Sequence, residues 1–273
     1  MPLLVRAELV AGPRDCARHA EAVGGRIRRM VASRDHSAGR WPLRRGRANR
    51  QLSGVAVVTG GARGIGRGIA EAAVARGLTV VLSDLEGDLA AATAREIGAV
   101  AGIAQDVREE SSHAELARAA AAYGPIVAWF NNAGVGHDGS LMALSSTEIQ
   151  TMVEVNLMGV IWGTRAALES FGPAGGDIVI TGSLSSHGPV PGLSVYAATK
   201  AAVVSLATSV NLETPPQVRV HALCPDGVDT RMVADMSATG EAKALIFAGG
   251  SLYSPAEVGA AAVALLGSRR VVR

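Results

Sequence analysis

Tyr196 and Lys200 stand four residues apart in Tyr196-Ala-Ala-Thr-Lys200, in a chain of 273 residues with only three tyrosines and two lysines. Four residues is slightly more than one helical turn, so a phenol and an ammonium project from the same helix face. A phenol titrates near ~10 in water. A fixed positive charge beside it favours the phenolate and lowers that value, giving a group that can donate and accept a proton near neutral pH. The same spacing also arises by coincidence on helix surfaces. The pair becomes meaningful only if other elements bring a reactive partner to it.

Such elements precede it. Val55-Ala-Val-Val-Thr59 is rich in β-branched residues and reads as a buried parallel strand. It runs into Gly60-Gly61-Ala62-Arg63-Gly64-Ile65-Gly66 and then into a helical stretch, Arg67 to Arg76. Strand, glycine turn and helix in that order are the context in which a glycine motif reads as a phosphate-binding turn rather than an ordinary glycine-rich loop. Gly60 permits the bend, while Gly64 and Gly66 let the backbone approach a pyrophosphate and the helix pack close to its strand. The free N–H groups opening the helix then face the phosphates. A second apolar strand, Leu78 to Ser83, ends at Asp84, 18 residues after Gly66. An acid there accepts hydrogen bonds from the adenosine ribose hydroxyls.

Taken together, these segments resemble the short-chain dehydrogenase/reductase family from about Leu52 to Arg273. Thr59-Gly60-x-x-x-Gly64-Ile65-Gly66 is similar to its cofactor fingerprint. Asp106-Val107 resembles the adenine contact after the third strand, and Asn131-Asn132-Ala133-Gly134 the turn after the fourth. Asn156 falls where the family keeps a catalytic asparagine, and Ser183 lies 13 residues before Tyr196, at the family's spacing. The resemblance implies hydride transfer between an alcohol or carbonyl and a bound nicotinamide, with Tyr196 as proton donor or acceptor. Lys200 would lower the tyrosine's pKa and hold the nicotinamide ribose. Ser183 would bond the substrate oxygen, although Ser185 and Ser186 offer hydroxyls nearby. Asn156 would anchor a water that links Lys200 to solvent. Gly60, Arg63, Gly64, Ile65, Gly66, Asp84, Asp106, Val107, Asn132, Ala133, Gly134, Val228 and Thr230, with Tyr196 and Lys200, would bind the cofactor.

The cofactor indicators conflict. Asp84 favours NAD(H), because a carboxylate there repels a 2′-phosphate. Arg63 occupies a position from which related enzymes grip that phosphate, leaving NADP(H) as the alternative. The expected cofactor is NAD. One departure stands out: where the family runs Pro-Gly-x-x-x-Thr, this chain has Pro225-Asp226-Gly227-Val228-Asp229-Thr230, and Asp226 reads as a turn residue.

Apolar runs at 54–59, 78–83, 99–104, 126–131, 177–182 and 218–223 alternate with Ala-rich helical segments. This pattern predicts an α/β, Rossmann-type doubly wound parallel sheet in a single domain over 51–273, with helices on both faces. Residues 228–250 read as a substrate lid with Gly240, Gly249 and Gly250 as hinges, and its apolar residues predict an apolar substrate. A capping box, Ser254 with Glu257, opens a further helix to about Leu266, and 270–273 reads as a last short strand. Cys16 and Cys224 give no disulfide framework, and Cys224 reads as a buried core thiol. The histidines show no metal-ligand spacing.

The first fifty residues differ in kind, with 12 arginines and no lysine against four acids, whereas 51–273 carries 14 basic and 20 acidic residues. They read as a disordered arm, a composition also shared by organelle leaders and by segments that touch nucleic acid phosphates. No nucleic acid partner is expected. No apolar run reaches the ~18 residues of a membrane span, and a cytoplasmic location is expected. By family resemblance the helices at 146–170 and 195–213 pair copies into a homodimer or homotetramer. Two other readings stay open: a dinucleotide-binding redox sensor without turnover, and a nucleotide-sugar epimerase or dehydratase, which usually has a larger C-terminal region.

Overall fold

The computed structural model describes residues 53–236, 241–248 and 251–268. Six strands form one sheet: β1 (Val55–Thr59), β2 (Thr79–Asp84), β3 (Ala101–Ala104), β4 (Ile126–Asn131), β5 (Gly176–Thr181) and β6 (Val218–Leu223). Their order is β3-β2-β1-β4-β5-β6, and every neighbouring pair is parallel. Parallel neighbours need crossovers, and right-handed crossovers wound outward from β1 place helices on both faces. Those helices are α1 (Gly64–Ala75), α2 (Gly87–Ile97), α3 (Glu110–Ala121), α4 (Ser146–Val153), α5 (Gly159–Ser170), α6 (Ser194–Glu213), α7 (Arg231–Ala234), α8 (Glu241–Ala248) and α9 (Pro255–Ala264).

The alternation of β1 shows why both faces are covered. Ala56 and Val58 join Ile69 of α1, Val80 and Phe130 in one core. Val55 and Val57 join Leu116 of α3, Trp129 and Val203 of α6 in the other. Burying each such side chain contributes roughly 1.5–3 kcal/mol, so a strand apolar at every position stays fixed between two layers.

The strands fall where the sequence predicts, with shifted ends. β3 begins at Ala101 rather than 99, and β2 includes Asp84. Helix α1 starts at Gly64 rather than Arg67, so Gly64 and Gly66 lie in its first turn. The capping box of α9 is formed, with Glu257 N donating to Ser254 Oγ and the Glu257 carboxylate accepting from Ser254 N. Helix α6 has the length and apolarity of a membrane span by composition. It lies against β6, however, and carries a buried lysine on its inner face. The expected arm at 1–50, the hinges Gly240, Gly249 and Gly250, and the strand at 270–273 lie outside the described residues.

Candidate active site

The strand order reverses between β1 and β4, which opens a crevice at their C-terminal ends. Gly60 turns the chain there with φ +61°, and a Cβ on it would lie 2.7 Å from Ala133 Cα. A Cβ on Gly66 would lie 1.9 Å from the Gly60 carbonyl oxygen, so no side chain fits between turn and helix. Gly64, at φ +53°, faces Thr230, whose Cγ2 would be 3.4 Å from an added Cβ. Ile65 packs partly into the core beneath. The result is bare backbone with the first N–H groups of α1 aimed into the crevice, a cradle that fits a dinucleotide pyrophosphate.

Asn132 braces this crevice. Its Nδ2 donates to the carbonyls of Thr59 and Gly60, both at 3.2 Å, and its Oδ1 accepts from Thr181 Oγ1 at 3.2 Å. Thr59 Oγ1 accepts from the N–H groups of Asn132 and Ala133. The Asn132 amide is thus committed to the ends of three strands, and Ala133 and Gly134 form the wall beside it.

At the β2 end, Asp84 Oδ2 accepts from Ala62 N at 3.1 Å and Oδ1 from Glu86 N at 3.3 Å. The Arg63 guanidinium is paired with Glu86. After β3, Arg108 donates to both Asp106 carboxylate oxygens, at 3.0 and 2.6 Å. Those bonds hold the Asp106 carboxyl below its usual range against the opposing effect of burial. The Val107 carbonyl lies 2.9 Å from His113 Nε2 and packs against Gly159 at the start of α5.

The catalytic candidates converge on the other side of Gly134. Between α4 and α5 the helix widens into a π turn, Glu154–Met158, which carries the fully buried Asn156. Asn156 Oδ1 accepts from Val135 N and its Nδ2 donates to Val135 O, both at 2.8 Å, with a further bond to Thr199 Oγ1 at 3.3 Å. A Cβ on Gly134 would sit 3.3 Å from Asn156 Oδ1 and 3.4 Å from Lys200 Nζ. Lys200 Nζ donates to Thr181 O at 2.9 Å and lies 5.7 Å from the centre of the Tyr196 ring. The Tyr196 phenol lies close enough to Ser183 for the serine to favour its ionised form. Ser183 follows β5 and its Oγ accepts from Ser185 N at 3.2 Å and Ser185 Oγ at 3.0 Å, while Ser186 Oγ accepts from Ser183 N. Ser185 and Ser186 therefore support Ser183, a role that spacing alone does not reveal. Thr59, Thr181 and Thr199 are likewise structural partners whose only sequence signal is a hydroxyl at a strand end or beside Lys200.

The electrostatics differ from expectation in one respect. Burial pushes the Tyr196 phenol up to about 12, partly offset by the bond to Ser183, and Lys200 does not reverse that direction. Burial also pushes Lys200 down to about 8. Desolvation of both groups outweighs their mutual field at this separation. Cys224 is a second correction: it is half-buried beside the site rather than in the core, and burial raises its thiol against the opposing influence of Ser183, Ser186 and Lys200.

The lid segment meets the site through Met232, whose Sδ would lie 3.1 Å from a Cβ on Gly136, with Tyr196 Cδ2 at 3.6 Å from the same point. Val228 bridges to Tyr253 in parallel, and Asp226 Oδ1 accepts from Gly227 N at 2.9 Å, as a turn residue does.

The family model described as short chain dehydrogenase matches residues 54–241. The 2,5-dichloro-2,5-cyclohexadiene-1,4-diol dehydrogenase LinX of Sphingobium indicum is 33% identical over 196 residues, covering 69% of this chain and 78% of its own. A 3-alpha-(or 20-beta)-hydroxysteroid dehydrogenase of Mycobacterium tuberculosis is 34% identical over 189 residues, covering 68% and 73%. Among solved structures, the 3-ketoacyl-(acyl-carrier-protein) reductase of Brucella melitensis complexed with NADH superposes with a TM-score of 0.71 at 29% identity, over 78% of this chain and 90% of that one. With a family match across most of the described residues and a glycine cradle opening at the sheet's switch point, the chain belongs to the short-chain dehydrogenase/reductase family and is an NAD(P)-dependent oxidoreductase acting on alcohol and carbonyl groups.

Proposed function

We propose that Tyr196 is the general acid/base of this oxidoreductase, that Ser183 holds the reacting oxygen, and that the enzyme uses NAD(H) on an apolar secondary alcohol or its ketone. The observation that carries this reading is that Asn156 and Lys200 flank Gly134, with Lys200 Nζ 5.7 Å from the centre of the Tyr196 ring and Ser183 interacting with that phenol.

The nicotinamide, when bound, supplies or takes the hydride. In reduction, the Tyr196 hydroxyl gives its proton to the carbonyl oxygen; in oxidation, it takes the proton from the alcohol. The Ser183 hydroxyl donates to the same oxygen and stabilises the charge that develops there. Its own geometry is held by the two bonds from Ser185. The Lys200 ammonium, protonated at neutral pH with a value of about 8, favours ionisation of the phenol and would hold the nicotinamide ribose hydroxyls. Asn156 fixes Val135 and faces Lys200 across Gly134, which suits it to anchor a proton path from the lysine to solvent.

Support for NAD(H) comes from Asp84 at the end of β2, whose negative charge would repel a 2′-phosphate. Support for an apolar substrate comes from Met232, which lies near Gly136 as Tyr196 does, and from the exposed Leu184 and Phe247. Two relatives carry names of dehydrogenases for ring alcohols, a cyclohexadienediol and a hydroxysteroid. Pairing of copies through α4–α5 and α6 is proposed on family grounds, and Val153 on α4 is 37% exposed in the single chain; light scattering reads the mass.

The test is a panel of cyclic and linear secondary alcohols with NAD, followed by NADH absorbance. Tyr196→Phe should lower kcat by about 10²–10⁴-fold, the range of a positioned acid/base, while NADH titration changes little. Turnover near wild type in the phenylalanine variant would reject the assignment.

A further inference from the structure

Glu86 has no part in the chemistry described above, yet it is the partner of Arg63, the residue of the glycine turn able to grip a phosphate. The two are held together from below. Asp84 Oδ2 accepts from Ala62 N, the residue before Arg63, at 3.1 Å, and Oδ1 accepts from Glu86 N at 3.3 Å. One carboxylate at the end of β2 thus aligns both partners of the ion pair.

We infer that Glu86 is a specificity-determining residue: by pairing with Arg63 it withholds the guanidinium from a 2′-phosphate, so that NAD(H) preference rests on a clamp as well as on Asp84. This deepens, and depends on, the reading of residues 60–66 and 84 as the dinucleotide site. Arg63 is the only cation within the turn, and a planar guanidinium is the side chain suited to bidentate phosphate recognition. The side chains of Arg63 and Glu86 are 37% and 62% exposed, so solvent screens the pair and it is weak enough to be exchanged. Glu86 acts against a phosphate by occupying the guanidinium with its charge. A glutamine keeps the shape of the side chain and removes that charge, so Arg63 becomes available.

The experiment titrates the full chain with NADH and NADPH by fluorescence, in wild type, Glu86→Gln and the double variant Glu86→Gln with Arg63→Gln. The wild type should bind NADH more tightly than NADPH. In Glu86→Gln the ratio of the NADPH Kd to the NADH Kd should fall by about fivefold, the scale of one exposed charged contact. In the double variant that gain should disappear. A ratio unchanged by Glu86→Gln overturns the clamp. A gain that survives without Arg63 also overturns it, because repulsion by Glu86 alone would then explain the preference. If the wild type bound neither dinucleotide, the site reading itself would fail and the inference with it; NADH binding with an unmoved ratio defeats the clamp alone.

Discussion

Lys200 places its ammonium against the Thr181 carbonyl with 3% of its surface exposed. One neutral acceptor does not replace the hydration of a charge, which is why burial lowers its pKa to about 8 from an ordinary value of 10.5. Between those two values the unfolded chain binds a proton that the folded chain does not, so the lysine makes stability rise with pH through that window. Tyr196 acts in the opposite direction at higher pH. Its value of about 12 against an ordinary 10 contributes stability below pH 10 that is lost as pH climbs toward 12. Lys200→Met keeps the length of the stem and removes the buried charge. Urea midpoints at pH 7 and pH 10 should therefore show the wild type gaining on the variant by on the order of 2 kcal/mol. A gap that does not move with pH would mean that the ammonium is better solvated than its surroundings imply. The same groups show where a residue-level reading of sequence stops. Spacing along a helix puts phenol and ammonium on one face, but it carries no information about how much water each loses. That depends on β5, β6 and the 183–187 turn, which arrive from elsewhere in the chain. The half-buried position of Cys224 escapes sequence reading for the same reason.

At the level of elements, α1 is held by α9 through a contact between two glycines. A Cβ on Gly259 would lie 2.1 Å from the Gly68 carbonyl oxygen, and one on Gly68 would lie 2.2 Å from that of Pro255. Both obstacles are backbone, so neither helix can yield without moving its whole axis. Gly259→Val should cost about 1–3 kcal/mol as an overpacked contact. Because the first turn of α1 carries Gly64 and Gly66, NADH affinity should fall with it. Gly172→Ala, at a position with nothing within 4 Å of the added carbon, serves as the control. Thermal unfolding and NADH titration of the two variants measure this, and equal behaviour would show that the crossing is loose. The strands were readable from sequence because each is a short run of apolar, often β-branched residues in which both faces are buried. Helix α9 was readable from its Ser254–Glu257 capping box, a local interaction. The π turn at 154–158 was not readable. It is specified by bonds between Asn156 and Val135, 21 residues away, and between Asn156 and Thr199, 43 residues away. The bracing role of Asn132 is likewise defined only once three strand ends meet.

On the scale of the whole molecule, charge is divided unevenly along the chain. The first fifty residues hold 12 arginines and four acids, while 51–273 holds 14 basic and 20 acidic side chains. Among the described residues every strand of the sheet and every candidate site residue falls between Val55 and Thr230, and the family match covers 54–241. A chain starting at residue 51 should therefore fold with an unchanged melting temperature and bind NADH. Opposite charges on the two segments would attract at low ionic strength, and the Debye length of about 8 Å at 0.15 M salt limits that attraction to close approach. The ratio of NADH Kd values for the full and shortened chains should then lie within about twofold at 0.15 M salt and drift from unity only at ~0.01 M, where the screening length is about 30 Å. A tenfold loss of affinity that persists at the higher salt would require direct contact between the arginine-rich segment and the cofactor site, because long-range attraction is screened there.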